Sequence, residues 1–241
     1  GRVFSLPDTL TLSAIHSHPD LMKTSQLIFL LSLLIGIQGN QAQASEWRFS
    51  GSLFINTTAD GASIPANVSV RDFPLLVRLQ EDWFDFSQAR DNGADIRFVT
   101  PQGTPLAFQI EHWNPTSGKA SIWVLIPEIL GQSIQEIQMN WGNPDATSES
   151  KGNAVFNNSN GYLSVWHMDS EVKDEVGTLS SDDTGTTETQ GMVGNARHFE
   201  NRGIFCGDQI NTYPTGNSVH TSQAWFRSEA SRGRVLAWGN E

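Results

Sequence analysis

From Phe73 the side chains alternate: Phe73, Leu75, Val77 and Leu79 fall on one face, Arg78 and Gln80 on the other. A period of two predicts a half-buried strand. Asp91-Asn92-Gly93 follows as a turn signal, because Asn and Gly tolerate positive φ. Beyond it Ala94–Val99 reads as a second strand, with Ile96 and Phe98 inward and Asp95 and Arg97 together on the opposite face, close enough to pair. After a Gln102-Gly103 turn, Leu106, Phe108 and Ile110 repeat the alternation, and Glu111, His112 and Trp113 occupy the far end of that strand. In Ala120–Ile126 the residues Ile122, Val124 and Ile126 alternate with Trp123 and Leu125, so both faces are apolar and the strand is expected at the centre of a sheet. Ile134, Ile137, Met139 and Trp141 close the pattern before Gly142-Asn143-Pro144. Short strands and turns at roughly ten-residue spacing predict an all-β chain that opens with a β-sandwich domain.

A different pattern precedes it. Met22 and Lys23 lead into the apolar run Leu27–Ile37, and Ala42-Gln43-Ala44 supplies small residues for cleavage. This is the layout of a secretory signal peptide over residues 22–44, with a mature N-terminus near Ser45. The apolar core is about a dozen residues, short of the roughly 20 a membrane-spanning helix needs. Residues 1–21 read as leader outside the fold. The sandwich is expected over 45–145 and a Ser-, Asn- and Gly-rich linker over 146–160. Within 161–241 strands are expected at Tyr162–Met168, beside the glycines of Gly191–Phe199, at Ser222–Arg227 and at Arg234–Gly239.

The motifs Phe73–Leu79, Phe84-Asp85-Phe86, Asn92–Phe98, Gly103–Leu106, Ile110–Trp113, Ile122-Trp123-Val124 and Trp141-Gly142-Asn143 occur in the order of the bacterial domain of unknown function 2341, which the chain resembles. Gly191–Phe199 followed by Ala224-Trp225-Phe226 resembles the opening of a concanavalin-like, laminin-G-like jelly roll. The first resemblance implies an exported bacterial protein of no established activity. Such domains stand beside jelly rolls and, in some proteins, beside proton channels of the MotA, TolQ and ExbB type. The second implies a truncated jelly roll over 161–241, because closing two sheets takes about 150 to 200 residues. Trp225, Phe226, Leu236 and Trp238 would then lack a facing sheet, and Gly203–Cys206 would lack partner strands.

Charge narrows the partners. With 15 basic and 26 acidic side chains the net charge is −11, which repels nucleic acid. Cys206 is the only cysteine, and reads as a small buried hydrophobe in preference to a free thiol or half of a bridge to a cysteine missing from this sequence. No Gly-x-Ser-x-Gly elbow and no Glu-x-Asp-x-x-Glu run occurs, so neither acyl transfer nor glycoside hydrolysis is supported and no catalytic residue is assigned. His112, His167, His198 and His220 are isolated and read as structural, with no metal expected. Asp169, Glu171, Asp174, Glu175, Asp182 and Asp183 offer oxygen ligands for calcium, but their spacing fits a solvated acidic loop better.

Five residues remain as candidates for ligand binding. Trp113 and Trp123 suit a platform for sugar rings, although Trp in strands more commonly packs a core. Asp95, Arg97 and Glu111 suit a polar cluster that orients a ligand, although a cross-strand ion pair is the commoner use of such residues. The expectation is a non-catalytic, exported module recognising a glycan or an envelope protein. The alternatives are the periplasmic sensory region of a channel-linked transport protein with membrane helices downstream and, third, a polysaccharide-cleaving enzyme.

Overall fold

The computed structural model of the 241-residue chain describes residues 12–14, 47–177, 179–207, 213–229 and 233–237. The signal peptide, the remainder of the leader, Ser45 and Trp238 lie outside the described residues. Among the described residues there are twelve strands: β1 Leu12–Ala14, β2 Phe49–Asn56, β3 Ser69–Gln80, β4 Arg97–Val99, β5 Pro105–Leu106, β6 Phe108–Asn114, β7 Lys119–Leu130, β8 Ile134–Trp141, β9 Asp182–Asp183, β10 Thr187–Gln190, β11 Asn195–His198 and β12 Ile204–Phe205. One short helix, α1, covers Gly152–Val155.

Two antiparallel sheets face each other. One runs β1-β2-β8-β4-β5 and the other β3-β7-β6; Leu12–Ala14, within the residues expected to lie outside the fold, pairs with β2 at the edge of the first. The inward positions follow the period of two. Leu75, Val77 and Leu79 of β3, Ile122, Val124 and Ile126 of β7, and Phe98, Ile137 and Met139 of the opposite sheet meet in one buried core. Strand β7, apolar on both faces, does occupy the centre of its sheet, paired with β3 over eleven positions and with β6 on the other side.

Two strands differ from their sequence signal. Ala94–Ile96 is not extended: Asp91–Gly93 is a 3-10 turn, Ala94 continues it in the αR region, and the Ile96 N–H donates to the Gly93 carbonyl. The strand therefore begins only at Arg97. The single strand expected over Leu106–Trp113 is divided at Ala107, with β5 pairing to β4 in one sheet and β6 to β7 in the other. Along β6 a register shift between Ile110 and His112 leaves Glu111 as the extra residue of a β-bulge. Glu111 keeps the outward side that alternation gives it, and the bulge re-aims the residues after it, so that Trp113, opposite Ala120, packs against the core.

The segment 146–160 is docked along β6. The Lys151 N–H donates to the Phe108 carbonyl, the Ile110 N–H donates to Ser150 Oγ, and Val155 and Phe156 are buried. Residues Tyr162–Glu175 then fold over the outer face of the three-stranded sheet as a loop rather than the expected strand at 162–168. Hydrogen bonds from the Val165 N–H to Asp174 Oδ1 and from the Glu175 N–H to the Val165 carbonyl close the loop on itself. Two ribbons follow, β10 with β11 and β9 with β12. Ile204–Phe205 thus has a partner strand, contrary to the expectation for Gly203–Cys206.

Ser222–Arg227 and the described part of Arg234–Gly239 form no strand. Their alternation is strand-like, but Trp225, Phe226, Val235 and Leu236 are exposed, and a strand pattern without a partner edge closes no backbone hydrogen bonds. Among the described residues no helix is long and apolar enough to cross a membrane.

Candidate functional site

The five candidate residues fall in three places. Asp95 is wholly buried. Its Oδ1 accepts from the Arg90 N–H at 2.8 Å, and its Oδ2 accepts from the Gly142 N–H at 2.7 Å and the Asn143 N–H at 3.2 Å. The carboxylate thereby ties the turn before β4 to the chain leaving β8. The expected pairing with Arg97 does not form. Arg97 instead donates to the carbonyls of Ala94, Ile96 and Thr147, lies 3.0 Å from the Glu149 carboxylate, and places its guanidinium over the Trp47 ring at 5.5 Å. The two side chains satisfy different loops, so neither faces a shared ligand.

Trp113, at the end of β6, stands in an aromatic group with Phe84 and Phe86, at centroid distances of 6.0 and 5.1 Å. Gly93 makes this possible: its φ is +64°, and a Cβ there would lie 2.8 Å from the Trp113 ring. The Asn92-Gly93 turn is thus also the seat of the indole. Beside it opens a cleft of about 790 Å³, lined by Phe86 and Trp113 and rimmed by Glu81, Asp85, Arg90 and Asp91. Asp85 is ordered by Ser87, whose hydroxyl and backbone N–H both donate to Oδ1 and hold the carboxyl below its ordinary value. An aromatic lining bordered by carboxylates, one of them held by Ser87, suits a sugar, which offers C–H faces and hydroxyl donors.

Glu111 and Trp123 meet on the outer face of the other sheet. Gln109 is the register partner of Trp123, and the bulge brings Glu111 alongside. The Trp123 indole N–H donates to Glu111 Oε2 at 2.5 Å, and His167 Nδ1 lies 3.4 Å from the same oxygen. His167 Nε2 is 3.0 Å from Gln109 Oε1. The His167 ring stacks on Trp123 at 6.2 Å and 14°, and Phe156 meets both rings edge-on. The face of Trp123 that a sugar would need is therefore covered. The side chains of Glu111 and His167 are only 5% and 10% exposed. Burial pushes the Glu111 carboxyl up to about 7, with the Trp123 N–H and Arg78 opposing and Asp169 and Glu175 adding to the rise. Burial pushes His167 down to about 4, against Asp169 and with Lys173.

Sequence pattern alone does not bring His167, Gln109 and Glu175 into this cluster. Gln109 shares the outward period of Glu111, and that alternation was the available signal. His167 comes from a loop with no periodicity. The acidic loop is also less solvated than expected. Asp174 is buried, accepting from the Val165, Val176 and Leu179 N–H groups, and Glu175 is raised by burial. Asp183 accepts from Thr186 and Arg197. Among the described residues no group of three or more His, Cys, Asp or Glu is placed to hold a metal ion.

Residues 92–169 match the model of a domain of unknown function, DUF2341. The match begins at the turn that seats Trp113 and runs through 146–160 to Asp169, so Glu111, Trp123 and His167 all lie within it. The motifs at Phe73–Leu79 and Phe84–Phe86 fall before the DUF2341 match. No curated protein and no solved structure matches the chain.

Proposed function

We propose that the protein is a non-catalytic binding module, exported to the bacterial cell envelope, that takes an oligosaccharide in the cleft beside Trp113. The observation that carries this reading is the cleft itself, where Trp113 and Phe86 line an open depression rimmed by carboxylates and Arg90. Sugar rings pack C–H groups on aromatic faces, and their hydroxyls donate to carboxylates. The signal-peptide pattern at 22–44 supports export. The jelly-roll-like motif at Gly191–Phe199 supports a setting in which two β modules act in tandem on one polymer.

A non-catalytic role agrees with the chemistry of the most perturbed pair. Glu111 has the protonation range of a general acid, yet it is enclosed by Trp123, His167 and Phe156, away from the cleft. Screening the protein against an array of envelope and algal glycans should give hits that are lost in Trp113→Ala. An array without hits, combined with recovery of a protein partner that Trp113→Ala still binds, would overturn the reading.

A further inference from the structure

We propose that Tyr162–Glu175 is a strap locked onto the outer face of the β3-β7-β6 sheet by a single proton held between Glu111 and His167. Donor and acceptor matching assigns that proton. The Gln109 amide oxygen Oε1 faces His167 Nε2 at 3.0 Å, and an amide oxygen only accepts. That nitrogen must therefore carry hydrogen. His167 Nδ1 then faces Glu111 Oε2 at 3.4 Å, and two lone pairs in a buried site repel unless one proton lies between them. The Trp123 N–H already supplies the second donor to that oxygen. The chain Gln109–His167–Glu111–Trp123 thus links the strap to β6 and β7.

The consequence is a lock indifferent to pH. In the closed strap the pair holds one proton from about pH 4 to about pH 7, because Glu111 is raised and His167 lowered. In an opened strap, between the ordinary values of 4.5 and 6.5, the pair also holds one proton, now on the imidazole. Opening therefore exchanges no net proton with solvent. For Glu111, the raised carboxyl favours closure most at low pH, and this is lost as pH rises to about 7. For His167, the lowered imidazole favours closure most above 6.5, and this is lost as pH falls to about 4. The two slopes cancel. Facing charges come from Arg78 on β3 and from Asp169, Lys173 and Glu175 on the strap. They are common to wild type and to variants of the pair.

Hydrogen exchange of the 162–175 amides, normalised to an unstructured peptide of the same sequence, measures strap opening. From pH 5 to pH 8 the opening constant of Glu111→Gln should fall by roughly 30-fold and that of His167→Gln should rise by roughly 70-fold, each variant keeping one slope. Wild type should lie between them and change only a few-fold. Slopes of the same sign in the two variants, or a wild type outside the range they bracket, would overturn the proposal. If one variant does not fold, the other must still diverge from wild type in its stated direction, and parallel profiles would overturn it equally.

Discussion

Asp95→Asn tests whether this carboxylate is a structural tie rather than a ligand contact. Asp95 is wholly buried and accepts three backbone N–H bonds, from Arg90, Gly142 and Asn143. An amide of the same shape keeps one oxygen and turns an NH2 donor toward the remaining N–H donors. Each buried donor left without an acceptor costs about 1 to 3 kcal/mol, so the substitution should destabilise by roughly 2 to 4 kcal/mol. Asp95→Ala removes both oxygens and should cost more. The assay is urea unfolding at pH 7 followed by Trp fluorescence, with an unchanged slope showing that the change lies in stability and not in the compactness of either state. A loss below about 1 kcal/mol would mean that water or a rearranged backbone replaces the carboxylate and that it does not tie β8 to the turn before β4.

Gly93→Ala should destabilise by about 1 to 3 kcal/mol and weaken glycan binding, since a Cβ meets both a positive φ and the Trp113 ring; an unchanged melting temperature and affinity would refute this. Asp183, held below the ordinary aspartate range by Thr186, Gly185 and Arg197, should remain ionised at pH 3 by carboxyl carbon NMR. Its contribution to the β10–β11 ribbon is present above the ordinary range and lost as pH falls through the lowered value, so titration near 3.8 would contradict the network. Protein recovered from the culture medium or periplasm should begin near Ser45 on N-terminal sequencing, and a retained Met22 would remove the support for export.

What the sequence revealed and what it hid follow from the range of the interactions involved. Leu75, Val77 and Leu79, and Ile122, Val124 and Ile126, are buried because a strand covered on one face needs alternation, and that is local information. The Asn92-Gly93 turn was equally legible, since positive φ selects those residues. The Asp95–Arg97 pairing failed because a short-range geometric argument assumed an extended chain. Besides the local partners Arg90, Ala94 and Ile96, these side chains bind Gly142, Asn143, Thr147 and Glu149, about fifty positions away. Alternation places Glu111 outward, but the Glu111–His167 contact was hidden because His167 comes from a loop that has no periodicity. Ser222–Arg227 shows the converse, a strand pattern in residues that form no strand among those described.

The proposed function places a glycan against Trp113 in its cleft. The most direct measurement is a titration of isotope-labelled protein with the strongest array hit, followed through the indole N–H resonances of the tryptophans. Binding in the cleft predicts that the Trp113 signal shifts in a saturable way while that of Trp123 stays still, and that Trp113→Ala weakens affinity at least tenfold, about 1.4 kcal/mol. A saturable shift at Trp123 with Trp113 unmoved, or unchanged affinity in Trp113→Ala, would contradict it.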